Sequence, residues 1–284
     1  MDVQGILVPY DSGLRDTRMG RGPEKLLEGA GWLCEQGTVE VERIETAATF
    51  PAEIGATFAL VRQLAERVRH AVAIGRFPLV LAGNCFSAVG VLSGLFPART
   101  SIVWFDCHGD FNTPETTQSG FLDGMGLATA LGLCWAKMAA SVSGFHAVAG
   151  RQVLHLGGRD FDPGEQTLME QAEIRVIDAE AFRHGADLDL ASALEALARS
   201  TEEAYVHIDL DVLDPSEAPV NKFQKPGGLT ALQVENAVDL VGTHIPIRAV
   251  TFAAYDPTCD PMGHTSAVAQ RLMRRVLAIA EMRI

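Results

Sequence analysis

The segment Ile102-Val103-Trp104-Phe105-Asp106-Cys107-His108-Gly109-Asp110 sets a short apolar run directly before two carboxylates and an imidazole. Four consecutive apolar residues bounded by polar ones read as a strand buried on both faces. Alternation past the strand end aims positions 106, 108 and 110 to one side, which would gather Asp106, His108 and Asp110 in one cluster. Two other segments repeat the arrangement. Tyr205-Val206-His207-Ile208 runs into Asp209-Leu210-Asp211, and Pro78-Leu79-Val80-Leu81-Ala82 ends at Gly83-Asn84-Cys85, which adds a thiol.

Working outward, Gly5-Ile6-Leu7-Val8-Pro9, Val39 to Ile44, Val153 to Leu156, Ile174 to Ile177 and Val250 to Ala253 read as further strands. Between them lie helical patterns. Phe58, Val61, Leu64, Val68, Ala71 and Val72 recur at helical spacing, predicting a helix from about Glu53 to Ile74. Leu188 to Arg199, Ala231 to Val241 and Ser266 to Ile279 read likewise, and Pro23 opens a helix at Glu24. Strands alternating with helices and no linker-like stretch predict one α/β domain over residues 1–284, built on a mostly parallel sheet. In such sheets ligands bind at the carboxyl ends of the strands, where these acids stand.

Composition narrows the function. The 284 residues are 48% hydrophobic and 21% charged, with a formal net charge of −13. No basic stripe suits a nucleic acid, and the acidic balance disfavours an anionic membrane surface. The N-terminus shows no basic segment followed by a long apolar one, and Gly124 to Trp135 is too short to span a bilayer. A cytoplasmic protein is expected. Five cysteines at scattered spacing (Cys34, Cys85, Cys107, Cys134, Cys259) form no disulfide framework, so free thiols are expected.

Four carboxylates in one dry cleft cannot all stay ionised without compensating charge. Two divalent cations would supply it. Oxygen and imidazole ligands suit manganese, magnesium, zinc or iron, and a thiolate pulls toward softer metals. A lone cysteine is more often a small buried hydrophobe, but Cys85 stands at a third strand end. A metal pair can activate a bridging water and polarise a substrate.

Taken with several further motifs in order, these residues resemble the ureohydrolase superfamily of arginases, agmatinases and formiminoglutamases. The motifs are Gly20-Arg21-Gly22-Pro23, Asp106 to Pro114, Thr116 to Gly120, Gly158 to Glu165, Asp209 to Pro215 and Gly227 to Thr230. The arginase branch is the best match, through Asn112-Thr113-Pro114-Glu115-Thr116-Thr117 and Arg159-Asp160-Phe161-Asp162-Pro163-Gly164-Glu165. The resemblance implies a three-layer α/β/α domain with an eight-stranded sheet and two Mn2+ ions. Asp106 and Asp209 would bridge the ions, Asp110 and Cys85 would complete one site, and His108 and Asp211 the other. A hydroxide between the metals, hydrogen-bonded to Asp110, would attack the guanidinium carbon. Asn112, Ser119 and Asp162 would hold the amino-acid end of the substrate, although all three residue types also cap turns. Relatives are often trimers or hexamers, so a homo-oligomer is an expectation too.

The departures are as informative. Ala82-Gly83-Asn84-Cys85 stands where the family reads Gly-Gly-Asp-His, so a thiol replaces a ligating imidazole. Asp123 replaces a proton-shuttling histidine, and an ordinary aspartate pKa near 4 is low for that task unless burial raises it. Ala254 replaces a glutamate that pairs with the guanidinium. Asp256 lies nearby, either serving the same face or capping the turn before Pro257. Asn221-Lys222-Phe223 replaces small and hydroxylic residues. These changes point from arginine toward a less basic guanidine such as Nω-hydroxy-L-arginine. The alternatives are another linear amidine, as in formiminoglutamase, or a catalytically impaired binding or regulatory relative.

Overall fold

The structure is a computed structural model and describes residues 1–35, 37–46, 50–96 and 99–282, without the side chains of Cys34 and Glu35. Eight strands form its main sheet. In chain order they are β1 (Val3–Val8), β2 (Val39–Arg43), β3 (Phe77–Ala82), β4 (Thr100–Phe105), β5 (Val153–Leu156), β6 (Arg175–Ile177), β7 (Glu203–Asp209) and β8 (Ile247–Ala253). Their spatial order is β2-β1-β3-β8-β7-β4-β5-β6. Every pairing within this sheet is parallel.

The six inner strands are almost wholly buried on both faces because both faces are covered, whereas the edge strands β2 and β6 carry polar, exposed residues. In β3, Leu79 and Leu81 enter one core while Val80 and Ala82 enter the other. In β4, Val103 and Phe105 face the first core and Ile102 and Trp104 the second. The first core is closed by the helices Asp187–Ala198, Ala231–His244 and His264–Glu281 through Leu194, Val238 and Leu272. The second is closed by Glu53–Ala73 and Ala88–Leu95 through Phe58, Val61, Val68 and Val89. Period-2 alternation between two apolar faces therefore produces the three layers expected. The predicted helices fall within a few residues of those observed, Glu53 to Ile74 being found at Glu53–Ala73.

The strand order brings β3, β8, β7 and β4 together at the centre of the sheet. Their carboxyl ends are followed by Cys85, Ala254, Asp211 and Asp106, and β7 itself ends on Asp209. Residues separated by up to 169 positions thus share one rim. Close backbone packing holds that rim. A Cβ at Gly83 would lie 2.1 Å from the Tyr10 carbonyl oxygen, so glycine alone lets the chain pass there to deliver Cys85. No helix among the described residues is long and apolar enough to cross a membrane.

Candidate active site

Asp106 and Asp209 sit at the centre of the rim, Asp106 with no exposed surface. Asp106 accepts hydrogen bonds from the Trp104 indole at 2.9 Å and the His108 backbone N–H at 2.7 Å. Asp209 accepts from the Asp211 backbone N–H at 2.7 Å and from the Cys85 thiol at 3.0 Å. The His108 Nδ1 lies 3.4 Å from both Asp106 and Asp211. Asp110 takes a left-handed conformation, φ 49°, which an aspartate tolerates better than most residues. Its carbonyl receives the Leu127 and Ala128 N–H groups at 3.0 and 3.2 Å, which holds that turn.

Among the described residues three overlapping groups of ligand atoms arise, each within 4.8 Å. They are Cys85, Asp106 and Asp110; Asp106, Asp209 and Asp211; and Cys107, His108 and Asp211. All six residues expected as ligands therefore meet in one cluster. The thiols of Cys85, Cys107, Cys134 and Cys259 are free, and the Cys34 side chain lies outside the described residues.

The cluster floors a cleft of about 540 Å³. Asn112, Ser119 and Asp162 all line it. Asn112 donates to Asp162 at 3.0 Å, while Ser119 is exposed and accepts the Phe121 N–H at 3.1 Å. Asp123 also lines the cleft, largely buried, where Asn84 Nδ2 and the Phe86 N–H donate to its carboxylate at 2.8 and 2.7 Å. Ala254, at φ 64°, lines the cleft where a carboxylate was expected to be missing. Asp256 does not replace it. Its carboxylate accepts from the backbone N–H and hydroxyl of Thr258 at 2.9 and 2.8 Å, so it caps the turn after Pro257.

The fold and this arrangement have known counterparts. The profile of the Arginase family matches residues 2–278. The chain belongs to the arginase family. Arginase of Bacillus caldovelox is 33% identical over 215 residues, which span 74% of this chain and 72% of that one. Arginase of Brevibacillus brevis is 29% identical over 218 residues, 75% of this chain and 73% of that one. The crystal structure of arginase from Bacillus cereus matches with a TM-score of 0.88 at 27% identity, covering 98% of each chain. Agmatine ureohydrolase of Thermoplasma volcanium, at 18% identity and a TM-score of 0.73 over 99% of this chain and 89% of that one, shares the fold. As an arginase-family member the chain is an amidinohydrolase acting on a guanidino C–N bond, a bond other than a peptide bond.

The electrostatics of this arginase-family site follow from burial. Desolvation pushes Asp106, Asp110 and Asp209 above the usual carboxylate range, and the negative neighbours push further. Burial raises Asp123 to about 7 against the donors that hold it, and Glu165 also to about 7. Burial raises the Cys85 thiol, and Asp209 adds to the effect. For His108, burial alone would lower the value, but Asp211, Asp106 and Asp160 outweigh it and raise it to about 10.

These shifts set the pH dependence of the metal-free protein. An acid whose folded pKa lies above its unfolded value binds its proton more tightly when folded. That stability is complete below about pH 4 and is lost as pH rises toward 7 for Asp123 and Glu165. His108 acts in the same sense between about 6.5 and 10. Buried His155 and His207, lowered to about 4 and about 3, act in the opposite sense up to about 6.5, so thermal melts in excess chelator should show Tm falling between pH 7 and pH 9. A flat or rising profile would contradict this account of the cluster.

Several residues at the site were given no role by the sequence, Arg159 and Glu165 standing only within a motif. Glu165 is 3% exposed and accepts the Phe111 and Asp162 N–H groups at 2.8 and 3.1 Å, which clamps the loop after Asp110 to the loop carrying Asp162. Its signal was available, since a Glu three positions after Asp162 is a capping-box spacing. Asp11, on the Tyr10–Arg15 hairpin, accepts from Asn84 and pairs at 2.8 Å with Arg18 of the turn that follows, and nothing local marked them. Arg159 donates to the carbonyls of Asp211, Val212 and Leu213 at 2.8 to 3.2 Å and to that of Lys225, anchoring the turn that carries Asp211.

Proposed function

We propose that this arginase-family enzyme is a binuclear manganese amidinohydrolase acting on an arginine-like amino acid, best matched by Nω-hydroxy-L-arginine. Water would add across the C–N bond of its guanidine, releasing L-ornithine and hydroxyurea. The donor set fits a pair of divalent cations. Acids raised by burial and by their mutual charge, with one imidazole and one thiol within ligating reach, are the arrangement that cations relieve. Cys85, Asp106, Asp110 and Asp209 would hold one ion, and Asp106, His108, Asp209 and Asp211 the other. When bound, such a pair supplies an activated water and polarises the guanidine carbon.

The rest of the chemistry falls to the protein. Asp110, on its constrained turn, would accept a hydrogen bond from the attacking water. Asp123, raised to about 7 by burial, would hold a proton near neutral pH and pass it toward the departing amine. Asn112, Ser119 and Asp162 would orient the amino-acid end from the cleft wall.

One observation carries the substrate assignment: at Ala254 the cleft lacks the side-chain carboxylate expected to pair with a guanidinium. The acids around it are already engaged. Asp256 caps its own turn, Asp160 pairs with Lys225 at 3.1 Å, Asp162 receives Asn112, and Asp123 receives Asn84 and Phe86. A lost charge-assisted hydrogen bond weighs most on a fully cationic guanidinium. N-hydroxylation lowers the basicity of a guanidine, so the hydroxylated substrate loses less. Manganese-loaded protein assayed on both substrates should show kcat/KM at least about tenfold higher for Nω-hydroxy-L-arginine, a difference of about 1.4 kcal/mol in transition-state binding. A preference for L-arginine would overturn the assignment.

A further inference from the structure

Asn221 uses its whole side-chain hydrogen-bonding capacity in one clasp. Its Nδ2 donates to the Ala254 carbonyl at 2.9 Å and to Asp211 Oδ2 at 3.3 Å. Its Oδ1 accepts the Phe223 N–H at 2.9 Å and the Gln224 N–H at 3.0 Å. An asparagine offers two donors and an acceptor with two lone pairs, so no capacity remains for a substrate. The donor half faces the acidic cluster. The acceptor half shapes the loop that carries Phe223. Gln224 strengthens that loop by donating to the Leu213 and Ala218 carbonyls, each at 2.9 Å, and accepting the Val220 N–H at 3.0 Å.

Phe223 extends the connection to the opposite wall. Its ring stacks on Phe121 with centroids 5.5 Å apart and planes at 27°, and both rings line the cleft. Phe121 stands between Ser119 and Asp123, on the segment that carries the expected amino-acid contact and the raised carboxylate. One amide therefore ties Asp211, the Ala254 backbone and an aromatic bridge across the cleft into a single unit.

We infer that Asn221 is a positioning residue that couples the ion site at His108 and Asp211 to the Phe121–Phe223 bridge enclosing the substrate. The inference rests on the two-metal reading above. Groups that orient a ligating carboxylate typically change metal affinity 10- to 100-fold when removed. The aromatic bridge acts separately, as apolar surface over the bound chain, and its loss should appear in KM.

Three variants separate these roles in the full-length, metal-loaded enzyme. Asn221→Ala should weaken binding of the second manganese equivalent by about tenfold or more in a calorimetric titration. It should also raise KM several-fold at saturating manganese. Phe223→Ala should raise KM similarly and leave manganese binding unchanged. Asn221→Ser keeps a hydroxyl for the i to i+2 turn bond but cannot reach Asp211. It should lose manganese affinity while holding KM near wild type, and it serves if the alanine variant does not fold. If Asn221 acts on KM through Phe223, the Asn221→Ala/Phe223→Ala double variant should match Phe223→Ala in KM, whereas independent effects would multiply. Unchanged manganese affinity in both Asn221 variants, or multiplicative KM effects, would overturn the inference. KM is read on whichever of arginine or hydroxyarginine the wild type turns over. A wild type binding fewer than two manganese equivalents would instead defeat the two-metal reading, so the two failures are distinct.

Discussion

Asp209→Asn should abolish catalysis and reduce tightly bound manganese from two equivalents to one or none. Asp209 ends a central strand, is buried, and lies within ligating reach of Asp106 and Asp211 on one side and the Cys85 thiol on the other. A neutral amide there keeps the shape and removes the charge that both ions would share. Metal polarisation of a substrate is worth several kcal/mol. At 1.4 kcal/mol per tenfold, kcat/KM should fall on the order of a thousandfold or more. The same substitution should raise the Tm of the metal-free protein, because one of the mutually repelling buried acids is gone. Elemental analysis after dialysis, steady-state kinetics and melts in chelator check the three parts. Two tightly retained manganese equivalents would refute the bridging role. Equal destabilisation of the metal-free and loaded forms would show that Asp209 only supports the fold.

Cys85 carries the second large effect. Its thiol is 1% exposed, donates to Asp209, and is pushed well above the ordinary thiol range by burial and neighbouring acids. It stays protonated unless a cation takes the proton's place. Cobalt-substituted wild-type enzyme should therefore show a thiolate-to-metal charge-transfer band in the near ultraviolet, and Cys85→Ser should lack it. The serine variant should also bind its first ion at least about tenfold more weakly, since a hydroxyl ionises far less readily. Cys85→His should restore affinity for harder ions such as manganese relative to softer ones such as cadmium, because imidazole replaces a soft sulfur ligand. A cobalt spectrum identical in wild type and Cys85→Ser would show that the thiol is packing only.

The two effects separate the parts of the site by their physical origin. Asp209 answers for the charge that both ions would share, and Cys85 for the chemical softness of one of them. Asn221, outside the ligand set, answers for orientation. Substituting each of the three removes a different quantity, so Asp209→Asn, Cys85→Ser and Asn221→Ser should give different patterns across metal affinity, metal preference and KM.

The sequence by itself determined the fold class and the heart of the site. Asp106, His108 and Asp110 follow a continuous apolar strand, and Asp209 ends another with Asp211 in the turn just after it, so strand periodicity and placement are written in neighbouring residues. The absence of a carboxylate at Ala254 was equally plain in the order of residues. Only the tertiary structure decided what the polar groups around that cluster do. Asp256 could have faced the cleft from its sequence alone, yet the Thr258 donors turn it into a cap. Asp123 has an ordinary carboxylate chemistry until burial behind Asn84 and Phe86 raises it. Asn221 reads as a loop residue until it meets Ala254, 33 positions away. The physical reason is the same in each case. A strand and its terminal acid are set by local backbone geometry, whereas desolvation and hydrogen-bond partners belong to the space that distant segments enclose.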